Sequence, residues 1–313
     1  MEQISIIIDQ MLMFAIMIAI GAVAAKMKVF TPDNLKVIAN LISKILLPAM
    51  ILTLIPSSGT RQTLFDSIPI LLASFAILFV LLFLGRLTGL LFRLKGNTLD
   101  VHTADMAFGN ARFIGLPIIE ELYGPLGVLT VSMYSLIDQL LLYTVGMFLL
   151  TDKERKEGQY KFNLKNMLNP TLFAVIAGFI LLFFNVKMEG VFFNSITSLG
   201  GTAKYVAMVY LGGSLYYMGV KGIFKRPSVL SIVAVKLIAF PLLVYLVLNA
   251  TGWFDPSVVM SLVILSAIPV MNNTAVLARV EGSDHEYAST AIFVTTILFM
   301  VTMPLVMYLI TLF

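Results

Sequence analysis

Two short stretches of the chain concentrate the side chains able to bind an anion: Asn110, Arg112 and Pro117 in one, Pro269, Asn272 and Asn273 in the other. A guanidinium is a planar fork of donors that matches a carboxylate through two parallel bonds, and an asparagine amide supplies a neutral donor and an acceptor. Proline removes one helical hydrogen bond and clashes with the preceding turn, so amides and carbonyls near Pro117 and Pro269 lose their usual partners. If the two segments unwind and cross, their half-helix N-termini offer free N–H groups and a positive dipole end, each worth about 0.3 to 2 kcal/mol to a carboxylate. The plainer alternative is an ordinary kink with structural amides.

A second tier of ionisable residues lies in equally apolar surroundings: Asp105, Asp138 with its neighbour Gln139, Lys204, Lys44 and Lys236. A basic side chain at the centre of a membrane helix costs roughly 2.5 to 3.5 kcal/mol, so these groups are expected to face protein or water. Asp138 reads either as a proton acceptor in a coupled cycle or as a counter-charge. Arg112 reads either as a carboxylate clamp or as the partner of Asp105 or Asp138. Lys204 follows Gly200–Gly201 and is expected to face the same cavity as Arg112, whereas Lys44 and Lys236 are expected to snorkel to the inner surface. Glu120 and Glu121 read as a hydrated rim. His102 and His285 are too far apart to form a metal pair and read as solvated loop residues, so no metal site is expected. The chain has no cysteine, which excludes thiolate metal sites and cysteine nucleophiles.

The elements that must hold these residues follow from composition. Of 313 residues, 59% are hydrophobic and 12% charged, about half the charged fraction of a soluble domain. Apolar stretches long enough to cross a bilayer recur at about 4 to 25, 34 to 55, 67 to 91, 124 to 150, 168 to 186, 191 to 218, 228 to 249 and 284 to 312. Two weaker stretches, 99 to 122 and 256 to 280, hold the candidate residues. The first stretch lacks a basic leader and carries Asp9, so it reads as a retained helix. The net charge of +4 comes from basic residues sorted by membrane side and implies no nucleic-acid partner.

Charge parity decides whether the weak stretches cross. With both crossing, Lys26, Arg86, Arg93, Lys153, Arg155, Lys156, Lys221, Arg226 and Arg279 fall on one side, and the other keeps only Arg61 and Lys187. The expectation is an all-α polytopic membrane protein with ten transmembrane helices and both termini outside. Ten spans divide into a first five-helix repeat, 1–151, a cytoplasmic loop, 152–167, and a second repeat, 168–313. An odd number of spans inverts the second repeat. Helices four and nine are then equivalent, discontinuous and crossing, with Pro117 and Pro269 lying 152 residues apart, and paired broken helices point to a transporter's central site. Gly200–Gly201 and Gly212–Gly213 read as places of close helix approach.

The run Gly109-Asn110-Ala111-Arg112-Phe113-Ile114-Gly115-Leu116-Pro117 resembles the fourth-span crossover of the auxin efflux carrier family of permeases. Ile268-Pro269-Val270-Met271-Asn272-Asn273 is similar to its ninth-span pattern, as are Leu46-Leu47-Pro48-Ala49 and Asn169-Pro170 to other conserved positions of that family. The resemblance covers essentially the whole chain. It implies a bile acid/auxin carrier-like fold with spans 1, 2, 6 and 7 as scaffold and spans 3, 4, 5, 8, 9 and 10 as a mobile transport domain. It also implies a homodimer through the scaffold and substrate contacts at Asn110 and Asn273. Arg112 departs from the small residue usual there. The short central loop points to a bacterial relative.

The expected function is secondary transport of a small organic anion, an auxin-like monocarboxylate or malate-like dicarboxylate, across the cell membrane by elevator-type alternating access. No cofactor is expected. Sodium or protons are open as the coupling ion, because no phosphate-binding G-x-x-x-x-G-K-[ST] loop occurs. An intramembrane enzyme is the competing class, but neither a G-x-S-x-G elbow nor a nucleophile with a base in reach is present. A passive anion channel predicts the same fold.

Overall fold

A computed structural model describes residues 2–152, 168–186, 188–218 and 226–312. The 152–167 loop beyond Asp152 lies outside the described residues, as do Lys187, Lys221 and Lys225 with their expected placement relative to the membrane. Every regular element described is helical.

In chain order the helices are α1 (Glu2–Lys26), α2 (Pro32–Leu41), α3 (Leu47–Leu54), α4 (Arg61–Asp66), α5 (Ile68–Leu91), α6 (Gly96–Ala107), α7 (Leu116–Leu141) and α8 (Met147–Leu150). They continue with α9 (Pro170–Phe183), α10 (Val191–Gly201), α11 (Ala203–Met218), α12 (Val229–Ile232), α13 (Phe240–Thr251), α14 (Pro256–Ala267), α15 (Asn272–Val280) and α16 (His285–Ile310). Among the described residues, six continuous segments are long and apolar enough to cross a membrane: Ile8–Lys26, Pro32–Ser58, Arg61–Leu91, Ala111–Leu150, Val229–Thr251 and His285–Ile310. Helices α9 and α14 are shorter and also apolar. Large apolar side chains such as Leu72, Phe83 and Val301 are exposed on the outside of the bundle, which suits lipid and not water. The chain is a polytopic helical membrane protein.

Several of these segments are continuous only because wide turns bridge their prolines. Pro48, Pro117 and Pro241 each follow a widened turn, at Ile42–Leu46, Ala111–Gly115 and Val233–Ala239. Proline has no N–H to return to the carbonyl four residues back. The backbone shifts to five-residue spacing instead, as when Leu47 N–H bonds the Ile42 carbonyl. Between the expected fourth and fifth spans the chain breaks at Gly124, whose φ of 56° and ψ of −143° sit directly before Pro125.

Packing inside the bundle relies on small residues, since apolar helices in lipid gain little from hiding oily surface from lipid tails. Helix α1 lies along α11, and a Cβ on Gly212 would collide with the Ile18 carbonyl. A Cβ on Gly200 would stand 2.6 Å from the Met50 backbone of α3. Gly212 and Gly200 therefore mark close helix approach, whereas a Cβ on Gly201 would meet nothing within 4 Å.

Candidate functional site

The two weak stretches are broken helices, and their breaks meet. Helix α6 stops at Ala107, and Phe108 turns extended at φ −81°, ψ 117°. Helix α14 stops at Ala267, and Ile268 turns extended at φ −64°, ψ 147°. The freed backbones form a short antiparallel contact, Gly109 facing Val270. Asn110 N–H donates to the Pro269 carbonyl at 2.8 Å and Met271 N–H to the Phe108 carbonyl at 3.1 Å. Val270 N–H is satisfied by the Thr295 hydroxyl of α16 at 3.1 Å. Each break thus supplies the partners the other has lost, a requirement where no water reaches.

Pro269 stands at this crossing, whereas Pro117 does not. The first break falls at Phe108–Asn110, and Pro117 lies buried at the start of α7, one widened turn further on. Asn110 is buried; its Oδ1 caps the widened turn through Phe113 N–H at 3.3 Å, while its Nδ2 has no hydrogen-bond partner. Asn272 and Asn273 open α15 without a side-chain N-cap. The Asn272 amide is likewise unpartnered at both polar atoms, and Asn273 is exposed.

An open cavity of about 790 Å³ brings three of the six candidates together, with Arg112, Asn272 and Asn273 on one wall and Lys36, Lys44, Ser43 and Asn169 from α2, its widened turn and the start of α9 on another, whereas Asn110, Pro117 and Pro269 are not among its lining residues. Tyr210 and Ser214 of α11 and Arg279 at the end of α15 complete it. None of its described lining residues is acidic. Lys36 is held by Asp33 at 3.1 Å. The remaining cations, Lys44, Arg112 and Arg279, give the cavity a positive field that focuses on anions. Gln139 lies behind this wall, accepting from Asn169 Nδ2 at 2.7 Å. A second cavity of similar volume shares Met218, Arg279 and Ser289 with it, but its Arg226 is already paired with Asp284 at 2.7 Å and it contains Glu286.

Four sequence expectations need correction. Lys204 does not face this cavity: its ammonium pairs with Glu120 at 3.2 Å and with Glu121. Tyr210, the nearest of the named lining residues on the same helix, lies six residues further on, about 9 Å away at 1.5 Å per residue. Glu120 and Glu121 are accordingly ion-pair partners as well as rim residues. Lys236 does not snorkel; it is 0% exposed and donates to the Asp105 and Ala107 carbonyls at 3.1 and 3.4 Å. His102 is not solvated but fully buried, its ring nitrogens 2.9 Å from Thr88 Oγ1 and 2.7 Å from the Tyr287 hydroxyl.

Asp105 and Asp138 are both buried, at 0% and 2% exposed. Asp105 Oδ1 accepts from the Thr274 hydroxyl at 2.7 Å, joining α6 to α15, while its Oδ2 and Asp138 Oδ1 have no hydrogen-bond partner. The charges of Arg112 and Lys236 both act on Asp138, and that of Lys236 acts on Asp105. Outside the spans, Asp284 caps α16. Partial burial would raise its pKa, but bonds from Arg226, Thr98 and the Tyr287 backbone outweigh that and hold it below the usual carboxylate range.

Sequence reasoning missed the role of Lys236, because depth along a helix does not say which way a long side chain turns. It also missed Lys36, Lys44 and Arg279 as cavity walls; their signal was the basic excess on one side of the membrane.

Residues 6–307 match a family model described as membrane transport protein. Over 111 residues the chain is 33% identical to a protein of Rhizobium meliloti (strain 1021) named "Putative malonate transporter". That alignment takes in 34% of this chain and 35% of that protein, so the match spans about a third of the curated relative's length. With nearly its whole length matched and its broken helices meeting at a basic cavity, the chain belongs to the membrane transport protein family of auxin efflux carrier permeases.

Proposed function

We propose that this protein is a secondary transporter for a small organic anion, with a malonate-like dicarboxylate as first choice and an auxin-like monocarboxylate as second. The observation that carries the reading is the open cavity in which Arg112, Asn272 and Asn273, from both sides of the crossing, face Lys44 and Arg279 with no acidic residue among the described lining. A dicarboxylate fits such a wall: one carboxylate on the Arg112 fork, the other on the uncapped start of α15 and its asparagine amides. The name of the Rhizobium relative points to the same chemistry.

In this reading ten spans form two inverted five-helix repeats, residues 1–151 and 168–313, with both termini outside. The cavity opens at the Lys36 and Arg279 end, the side to which basic residues sort, and so faces the cytoplasm. Spans 3, 4, 5, 8, 9 and 10 carry the crossing past a scaffold of spans 1, 2, 6 and 7. Two copies pair through that scaffold, and the Lys204 pair with Glu120 and Glu121 closes the outer end. Asp138 and Asp105 serve as counter-charges to Arg112 and Lys236 or as proton carriers.

The test is thermal stability of the purified protein against a panel of carboxylates, since a ligand that binds the folded state raises Tm by mass action. A selective rise with malonate or a close analogue, lost in Asn273→Ala, supports the reading. No rise with any carboxylate would overturn it.

A further inference from the structure

The least expected group in the bundle is the Lys236 ammonium. Helix α6 ends inside the protein at Ala107, and the last carbonyls of a helix have no donors of their own and carry roughly half a negative charge. The Asp105 carboxylate adds a further negative group two residues before that end, within the last turn, and is 0% exposed. Broken membrane helices commonly place a metal cation at such a spot, ligated by unwound carbonyls and half-helix C-terminal ends. Here the Lys236 side chain, reaching from the widened turn Val233–Ala239, donates to the Asp105 and Ala107 carbonyls at 3.1 and 3.4 Å.

We infer that Lys236 is a resident cation of the crossover. Through its covalent tether it fills the position a coupling sodium ion would take at the end of α6, so that transport proceeds without sodium. The transport clause rests on the function proposed above; the cation clause does not. Charge balance supports it. Lys236 acts electrostatically on both buried carboxylates, Asp105 and Asp138, and a lysine 0% exposed is tolerated only where anions and carbonyls replace its water. A sodium ion on the same carbonyl oxygens would stand against the ammonium, and like charges at contact repel strongly in a low-dielectric interior. Asp105 also holds Thr274 of α15 at 2.7 Å, so the Lys236 charge steadies both broken helices and acts on the anion site as a positioning residue.

The experiment uses the full chain and needs no substrate for its first arm. Wild-type Tm is measured in sodium chloride and in N-methyl-D-glucamine chloride at equal ionic strength, with Lys236→Ala measured in both and with added methylammonium or choline. Expected is a wild-type Tm unaffected by the swap. Lys236→Ala is expected to melt lower and to recover with sodium or methylammonium, which fit the vacated space, but not with choline, which does not. A wild-type Tm that requires sodium would overturn the inference. So would a Lys236→Ala protein as stable as wild type, or one that no small cation restores, because that marks a merely structural contact. Should Lys236→Ala yield no folded protein, the neutral pair Asp105→Asn with Lys236→Gln decides: folding without sodium sensitivity supports the inference, and failure to fold overturns it. The second arm measures carboxylate uptake into proteoliposomes in the two salts, where equal uptake is expected and sodium-dependent uptake contradicts. Cation rescue of Lys236→Ala without uptake of any carboxylate would remove the proposed function and leave the resident cation standing.

Discussion

Replacing Arg112 with alanine removes one of the two guanidinium groups among the described lining residues of a cavity of about 790 Å³, and leaves Arg279 in place. A hydrogen bond to a charged group contributes about 1.5 to 3 kcal/mol, which at 1.4 kcal/mol per decade corresponds to a Kd weaker by about 10- to 150-fold. Arg112 is only partly buried, and solvent in an open cavity screens the pair, so the loss belongs at the lower end, about 10-fold. Calorimetric titration of malonate into the purified protein at low, fixed salt reads this directly. Lys in place of Arg112 keeps the charge without the fork and falls between the two. One alternative has to be separated, since Asp138 lies in the field of Arg112 and its charge, released by the substitution, would repel the ligand on its own. The double variant Arg112→Ala with Asp138→Asn removes that charge as well. Affinity that stays low in the double variant identifies a direct contact. Affinity equal to wild type in Arg112→Ala, or regained in the double variant, refutes the clamp and makes Arg112 a counter-charge.

Other consequences follow from the same geometry. Asn273→Ala removes a neutral bond at the uncapped start of α15 and is expected to weaken malonate binding by about 1 kcal/mol, or roughly fivefold, in the same titration. Lys204→Ala breaks the pair with Glu120 and Glu121; stability falls by up to about 1 kcal/mol while malonate affinity is unchanged, and a loss of affinity would return Lys204 to the binding site. Gly212→Val drives a side chain into the Ile18 carbonyl and lowers stability by about 1 to 3 kcal/mol, read as a fall in Tm. Asp284→Asn tests linkage: bonds from Arg226, Thr98 and Tyr287 hold the folded carboxyl below its ordinary pKa, so its stabilisation is full above that ordinary value and is lost as pH falls through the lowered one. The deficit of the variant, about 1.5 to 3 kcal/mol near neutral pH from the lost charge-assisted bond with Arg226, shrinks towards zero in acid; a deficit constant with pH would contradict it.

The membrane class was legible because composition and apolar run length depend on solvent alone, and the weak stretches 99 to 122 and 256 to 280 were flagged by the polar residues that hold the crossing. Pro269 marked its break directly. Pro117 misplaced the other by a turn and more, since a proline in a membrane helix is accommodated by a widened turn such as Ala111–Gly115 as readily as by a break. Side-chain direction was not legible. Lys204 and Lys236 both sit in apolar helices, yet one turns to Glu120 and Glu121 at the rim and the other into the α6 terminus, a choice set by neighbours distant in sequence. His102 looked solvated because it is polar and near a span end, while its partners Thr88 and Tyr287 come from other helices.

The most direct test of the account is uptake of labelled malonate into proteoliposomes holding the wild-type protein or Asn273→Ala. The account predicts saturable uptake by the wild type that unlabelled dicarboxylates compete away and that the variant shows only at higher malonate concentration. Flux that never saturates would indicate a passive pore, and absence of malonate uptake, with no competition by any small carboxylate, would contradict organic-anion transport itself.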